Sequence, residues 1–303
     1  MSRRLELPVT AELAGIKVDT LLKKHLGLSG TVVRRVKWLE DGILVDGVRV
    51  NTRFCPREGQ VLSVRLSDPE RRSGIVPAPG PLDIVYEDED LLVLNKAPGV
   101  PVHPGPGHFD DTICNFLLYY YDLKGIEGDA HPIHRLDRGT SGLLVVAKHP
   151  HAQEVLKEQL HTPQFRRTYL AVCEGAPQPP SGLIDAPLGP KTGSLVEQEV
   201  RPDGKAARTR YETLWTDGAC SLLRLELDTG RTHQIRVHMA HLGHPLLGDF
   251  LYGREAPELI PRPALHSWQV TFRHPITEQE LTFTAPLPHD METLVPQWKG
   301  DFV

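Results

Sequence analysis

The clearest hydrophobic pattern in the chain lies at residues 221–227, where leucines alternate with polar residues. Alternation of this kind places apolar side chains on one face of a β-strand and polar ones on the other. Residues 232–242 then carry apolar side chains at helical spacing, up to Gly243, a typical C-terminal cap. Further patterns predict two strands within 82–96, strands at 143–147 and 167–174, and a helix at 152–160. Because strands follow one another with few helices between them, we predict an α+β fold with a mixed, largely antiparallel sheet.

The first fifty residues show a different pattern, with two short helices followed by a hairpin. Ser29 or Thr31 would cap the second helix. The Asp46-Gly47 pair supplies the positive φ angles that a two-residue hairpin turn needs. Four apolar residues form one stripe that would face a core: Val32, Val36, Leu39 and Ile43.

The chain carries a net charge of −5, and this charge is unevenly distributed. Residues 1–66 hold 12 Lys and Arg against 7 Asp and Glu, a balance of +5, which leaves −10 for the remaining residues. Arg34, Arg35 and Lys37 form an N-terminal basic cluster. Such a cluster is typical of a region that binds an anionic partner, although solvation of a surface helix is sufficient to explain it.

Residues 67–80 are rich in Pro, Gly and Ser and show no periodicity, which is typical of a linker. We therefore predict a small domain at 1–66 and a larger one at 81–303. No apolar run is long enough for a membrane span, and no signal-peptide pattern is present. Four cysteines without a C-x-x-C pair argue against a disulfide framework or a thiolate metal site. These observations predict a cytoplasmic protein with no membrane partner, and a monomer is the simplest assumption.

One stretch, residues 131–148, combines a carboxylate with flanking arginines. Asp137 stands between Arg135 and Arg138, and the residues that follow Arg138 are Gly-Thr-Ser-Gly and an apolar strand. A surface turn with solubilising arginines would explain this pattern without any chemistry. The functional alternative is that nearby arginines hold the carboxylate ionised, which makes it a usable nucleophile.

Other catalytic patterns are weaker. The 15 histidines suggest a metal-dependent hydrolase, but the sequence has no His-Glu-x-x-His and no carboxylate at ligand spacing beside them. Gly243 should end the helix before His244, so His238, His241 and His244 would not share one face. The sequence also has neither the Gly-x-Ser-x-Gly of a serine hydrolase nor a phosphate-binding P-loop.

Several motifs resemble known families. Residues 13–65 resemble an S4-like RNA-binding domain, a helix pair followed by a small twisted sheet. Over nearly all of residues 82–290, four segments resemble the successive signatures of RluA-family pseudouridine synthases: HRLDRGTSGLLVVAK, RRTYLAV, LDTGRTHQIRVHMAHLGHPLLGDFLYG and LHSWQVTFRHPIT. The leading domain and the segment VHPGPGHFDDTICNFLLYYY make the chain most similar to the RluD branch, which acts on large-subunit ribosomal RNA.

The second resemblance implies isomerisation of uridine to pseudouridine in RNA, without a cofactor or a metal. In that family the N-glycosidic bond is broken, and the base rotates and is rejoined through C5. The matching positions imply Asp137 as the nucleophile, Tyr169 as the residue that stacks on the base and helps to remove the C5 proton, and Arg236 as the partner of Asp137. Arg135 would fill the space left by the flipped uridine. Attack by Asp137 at the ribose C1′ and at the base C6 are both open.

We also expect Arg138, Arg231 and the N-terminal basic cluster to contact RNA, and Arg231 is the alternative partner of Asp137. The expected RNA is large-subunit ribosomal RNA or a pre-ribosomal particle. A tRNA substrate and a non-catalytic ribosome-assembly protein on the same fold are the alternatives. Three segments depart from the family's usual pattern: NKAPG replaces the commoner Lys-Pro order before the glycine, Arg167 replaces a lysine, and Ser267 replaces an alanine, which we interpret as a packing change.

Overall fold

The computed structural model describes residues 2–160 and 162–298. Its helices are α1 (Val18–Lys24), α2 (Gly30–Val36), α3 (Ile113–Lys124), α4 (Pro150–Gln159), α5 (Gln234–His241) and α6 (His289–Glu292). Its first eight strands are β1 (Arg4–Pro8), β2 (Ile43–Val45), β3 (Val48–Arg49), β4 (Val61–Arg65), β5 (Ile84–Glu87), β6 (Leu91–Lys96), β7 (His131–Pro132) and β8 (Ser141–Ala147). The remaining strands are β9 (Arg166–Glu174), β10 (Ser181–Asp185), β11 (Leu188–Pro190), β12 (Gln198–Val200), β13 (Arg208–Thr216), β14 (Cys220–Leu227), β15 (Leu265–Arg273) and β16 (Glu280–Thr284).

The N-terminal residues form a four-stranded sheet in the order β1-β4-β2-β3, with α1 and α2 packed on its core. The Ser29 side chain accepts a hydrogen bond from a backbone N–H of α2 at 3.2 Å, so the predicted cap is confirmed. Asp46 and Gly47 have φ angles of 48° and 77°, as the hairpin turn requires. The predicted apolar stripe does not stay on one helix, because α2 ends at Val36 and Ile43 lies in β2.

Most of the chain is organised around a second sheet of ten strands, in the order β10-β13-β14-β9-β15-β8-β6-β5, with β16 beside β15 and β7 beside β8. Among the described strands, only β8 and β15 pair in parallel. The prediction of an α+β fold with a mixed, largely antiparallel sheet is therefore confirmed. The predicted alternation on β14 is also confirmed, since Leu223 and Leu225 are fully buried in the core.

Helix α3 was not predicted, because apolar residues occur on nearly all of its sides and no helical stripe stands out. Its start is fixed by a capping box, in which Thr112 and Asn115 bond to each other's backbone N–H groups. Helix α5 was predicted, and Gly243 lies just beyond its end with a φ of 87°. None of the helices in the described part of the chain combines the length and the apolar character that a membrane crossing requires.

The two sheets meet at the end of β8 that lies away from Asp137. Arg3 forms an ion pair with Asp90 at 2.8 Å. Asp90 directly precedes β6, whose first residue pairs with Ala147, the last residue of β8. Asp137 lies before the first residue of β8, and seven residues of strand span roughly 20 Å. The N-terminal sheet is thus docked far from the Asp137 end of β8.

Candidate active site

A cavity of about 400 Å³ opens beside the N-terminal end of β8. Five of the predicted residues line it: Asp137, Tyr169, Arg236, Arg135 and Arg231. Among the described residues that line the cavity, Asp137 is the one carboxylate, and it stands with five cationic side chains: Arg135, Lys157, Arg167, Arg231 and Arg236. This charge distribution suits a polyanionic ligand that must approach a single carboxylate.

Asp137 lies in a tight turn, in which its backbone carbonyl accepts a hydrogen bond from the Thr140 N–H at 3.0 Å. Its side chain is 19% exposed, and Oδ2 lies 3.8 Å from Nη1 of Arg236. Within the described residues this is the ion pair found for Asp137, and the flanking arginines form none with it. Arg135 is exposed at the cavity, whereas Arg138 turns away and donates to the Gly99 carbonyl at 3.0 Å.

Arg135 and Arg138 form no ion pair with Asp137, because side chains of neighbouring residues in a turn point in different directions. Arg236 lies on another element, α5, and approaches Asp137 from there. Arg231, the alternative partner, donates instead to the Ala206 carbonyl at 3.1 Å. The predicted pairing of Arg236 with Asp137 therefore has support in the geometry. The RNA contact of Arg138 stays a prediction, since its side chain is exposed but lies outside the residues that line the cavity.

Arg236 is held by a residue that the sequence analysis missed. Asp249 is fully buried and accepts two hydrogen bonds from the Arg236 guanidinium, at 2.8 Å from Nε and 2.7 Å from Nη2. Burial alone would lower the pKa of Arg236, but the hydrogen bonds and charge of Asp249 raise it above its ordinary value. Since Asp249 occupies Nε and Nη2, Nη1 remains for Asp137. The sequence feature that could have identified Asp249 is its position directly after the apolar segment Pro-Leu-Leu-Gly of the third motif.

An aromatic ring covers the Arg236 guanidinium. The ring centroid of Tyr252 lies 5.1 Å from the guanidinium carbon, a cation–π arrangement. The Tyr252 hydroxyl accepts a hydrogen bond from the Gln198 N–H at 2.8 Å and bonds to Nδ1 of His233 at 2.7 Å. Arg236 is therefore fixed by a carboxylate on one side and by an anchored ring on another.

Tyr169 lies on β9 and is 4% exposed. Arg167 lies two residues before it on the same strand, and Ser267 lies opposite it on β15. Burial raises the pKa of Tyr169, and the positive charge of Arg167 is the largest influence that opposes this rise. The serine at 267 makes a hydrogen bond that an alanine would lack, from its hydroxyl to the Leu143 carbonyl at 3.0 Å.

Lys96 is a second residue that the sequence analysis missed. It is 1% exposed, and its ammonium donates to the carbonyls of Ala97, Val100 and Arg138 at 2.9, 2.9 and 3.2 Å. Burial lowers the pKa of Lys96 to about 7. These bonds join the loop after β6 to the turn that carries Asp137.

The N-terminal basic cluster lies outside the cavity. Arg35 forms an ion pair with Asp68 at 2.8 Å, which leaves its charge compensated within the protein. The Lys37 ammonium lies 4.9 Å from the ring centroid of Trp38, an exposed side chain. Arg34 is exposed and donates to the Thr31 hydroxyl at 3.3 Å. The structure does not bring these three residues together with Asp137.

The histidines that suggested a metal site are used elsewhere. His238 bonds to a threonine hydroxyl and to a backbone carbonyl at 2.8 and 2.9 Å, and Nδ1 of His244 bonds to a backbone carbonyl at 2.8 Å. Among the described residues, one group has the spacing of metal ligands: Asp88, Asp90 and His274. These side chains are already engaged, since His274 bonds to Asp88 at 2.9 Å and Asp90 pairs with Arg3.

Comparison with known proteins agrees with this arrangement. Residues 90–241 match the family model described as RNA pseudouridylate synthase. The chain is 39% identical to the uncharacterized RNA pseudouridine synthase YjbO of Bacillus subtilis, over 89% of this chain and 95% of that protein. It is 38% identical to the ribosomal large subunit pseudouridine synthase D of Escherichia coli K12, over 87% of this chain and 86% of that protein.

A solved structure, human RNA pseudouridylate synthase domain containing 4, shares the fold with a TM-score of 0.57 and 26% identity, over 69% of this chain and 90% of that one. Sequence relatives, family model and fold thus agree over the part of the chain that builds the cavity. The chain belongs to the RNA pseudouridylate synthase family and is an RNA pseudouridine synthase.

Proposed function

We propose that this enzyme converts uridine to pseudouridine in large-subunit ribosomal RNA, with Asp137 as its nucleophile. The observation that carries the proposal is the single carboxylate among five cationic side chains in the cavity. Cations at these positions attract the phosphates of RNA and leave one carboxylate to meet the nucleoside. A carboxylate with a fixed partner and partial exposure can attack a nucleoside without prior deprotonation by a base.

In the proposed reaction, Asp137 forms a covalent bond to the nucleoside at C1′ or C6, and the bond between N1 and C1′ breaks with its electron pair leaving on N1. If Asp137 is bonded to C1′, the free uracil rotates in the cavity and C5 attacks C1′, while the bond from C1′ to Asp137 breaks and its electron pair returns to the carboxylate. If Asp137 is bonded to C6, the uracil rotates about that bond and C5 joins C1′; the bond from C6 to Asp137 breaks, with its electron pair returning to the carboxylate, when the C5 proton leaves. The C5 proton then leaves to Tyr169, its electron pair forms the C5–C6 double bond, and N1 takes up a proton. Arg236 keeps the Asp137 carboxylate oriented during these steps.

The uridine must leave its helix to reach this cavity, since an enzyme cannot act on a base within a duplex. Arg135 is exposed at the cavity, and its planar guanidinium can stack where the base was. We assign Arg135 this role, and we assign phosphate contacts to Arg231.

We further propose that residues 1–66 are an S4-like RNA-binding domain joined through a linker at 67–80 to a catalytic domain at 81–303. The N-terminal residues have a hydrophobic core of their own, and no helix or strand occurs at 67–80. The exposed side chains of the basic cluster, Arg34 and Lys37, would contact RNA at a distance from the modified uridine. We treat the enzyme as a cytoplasmic monomer that works without a metal or an organic cofactor.

The choice of ribosomal RNA rests on the relatives. Several proteins named ribosomal large subunit pseudouridine synthase D are 37–39% identical to this chain and are covered over most of their length. A tRNA substrate is the alternative that the experiment below distinguishes.

The test is pseudouridine mapping by carbodiimide-stopped primer extension on large-subunit ribosomal RNA. A strain that lacks the gene is complemented with the wild type, with Asp137→Asn, or with Asp203→Asn, which removes a carboxylate from an exposed ion pair. We expect stops to return with the wild type and Asp203→Asn only. Stops restored by Asp137→Asn would refute the nucleophile, and a deletion that loses no stop in this RNA would refute the substrate and direct the mapping to tRNA.

A further inference from the structure

Arg167 and Tyr169 lie two residues apart on β9, so their side chains project from the same face of the sheet. Both line the cavity, and they are 6% and 4% exposed. Arg166, the first residue of β9, projects from the opposite face and is exposed. The chain therefore offers two adjacent arginines, of which Arg167 alone lines the cavity beside Tyr169.

The Arg167 guanidinium is confined by the turn after β14. A Cβ atom built on Gly230 would lie 3.2 Å from Nη1 of Arg167, closer than side chains normally pack. The absence of a side chain at 230 therefore leaves just enough space for the guanidinium beside Tyr169. A group confined in this way acts on its neighbour from a fixed position.

We propose that Arg167 is a positioning residue that enables Tyr169 to accept the C5 proton, an inference that rests on the role of Tyr169 in the proposed function. The guanidinium donates toward the phenolic oxygen and stabilises the negative charge that the oxygen carries as a base.

The charges around Tyr169 act in opposite directions. Burial raises the pKa of Tyr169, the charge of Arg167 lowers it, and the charge of Asp137 raises it. Arg167 is therefore the cation that favours ionisation of the phenol.

The transferred proton is the one on C5. On the C1′ route, once C5 has joined C1′, C5 carries both the ribose and its hydrogen, and the ring has a double bond between C6 and N1. Tyr169, which has lost its phenolic proton to solvent through the open cavity, takes the C5 proton on its phenolate oxygen. The C–H electron pair forms the C5–C6 double bond, and the former C6–N1 pair moves to N1. N1 then takes up a proton, and the product is pseudouridine.

The experiment compares single turnover on total RNA from the deletion strain, prepared with ordinary uridine or with uridine that carries deuterium at C5. Total RNA makes the assay independent of which RNA is the substrate. For Arg167→Gln we expect RNA binding close to wild type and a rate about 10- to 100-fold lower, part of the roughly 10²–10⁴-fold that general acid–base catalysis contributes. We also expect the deuterium isotope effect to exceed the wild-type value, because C–H cleavage becomes slower relative to the other steps.

Two variants separate this role from a structural one. Arg166→Gln removes the neighbouring charge, whose partner Glu280 lies at 3.8 Å outside the cavity, and should leave rate and isotope effect unchanged. Arg167→Lys should recover part of the rate. In a Tyr169→Phe background, Arg167→Gln should add little further loss, because both changes act on the same step.

An Arg167→Gln enzyme with a normal rate, or with a slow rate and an unchanged isotope effect, would overturn the proposal. Weakened RNA binding with no effect on the isotope ratio would instead make Arg167 a phosphate contact. Failure of the proposed nucleophile is a separate outcome, since it is measured on Asp137→Asn with the wild-type Arg167 present.

Discussion

Asp249 anchors Arg236, and replacing it tests how the cavity is held together. Asp249 is fully buried, and its two oxygens accept hydrogen bonds of 2.7 and 2.8 Å from the Arg236 guanidinium. Removing one partner of a buried ion pair costs about 3–5 kcal/mol, because the other charge stays buried. For Asp249→Ala we therefore expect unfolding free energy to fall by about 3–5 kcal/mol.

Asp249→Asn should be milder. The asparagine oxygen can still accept one hydrogen bond from Arg236, so the loss is close to that of one hydrogen bond to a charged group, about 1.5–3 kcal/mol. The guanidinium, held less firmly, would also move toward Asp137, whose Oδ2 is now 3.8 Å from Nη1, and would compete with attack on the nucleoside. We therefore expect a lower single-turnover rate with little change in RNA binding.

The measurements are urea unfolding and single turnover on RNA from the deletion strain. The matched control is Asp185→Asn, which removes an aspartate from an exposed pair with Arg208. Such pairs contribute about 0–1 kcal/mol, so the control should remain stable and active. An Asp249→Asn enzyme with wild-type stability and rate would show that Asp249 does not hold Arg236.

Three further predictions follow from other parts of the fold. Burial lowers the pKa of His266 to about 4, so the unfolded state binds more protons than the folded state between about pH 4 and 6.5. The free energy of unfolding, measured in urea, should therefore rise between pH 4 and 6.5, and His266→Asn should flatten that rise. Gly142 has a φ of 104°, and a Cβ there would lie 2.2 Å from the Ser267 carbonyl oxygen. Gly142→Ala should lower the free energy of unfolding by at least about 1–3 kcal/mol and slow turnover. Wild-type stability and turnover in this variant would contradict the close pairing of β8 with β15. Arg3→Ala removes the pair with Asp90 and should speed protease cleavage within 67–80, whereas unchanged cleavage would mean that other contacts hold the two sheets together.

The sequence determined the features whose causes lie within a few residues. The Ser29 cap, the Asp46-Gly47 turn, the alternation on β14 and the end of α5 all depend on neighbours along the chain. Caps, turns and periodicity act locally, so their signals are present before the chain folds. The motifs also identified Asp137 as the residue to examine.

The tertiary structure decided which groups meet. Arg236, which the family resemblance implied as the partner of Asp137, reaches it from a helix far along the chain. Arg236 is itself held by Asp249, which the sequence analysis did not single out. Arg138 turned away although it is adjacent to Asp137. Contacts of this kind depend on how β8, β9 and α5 are brought side by side, and no local signal in the sequence carries that information.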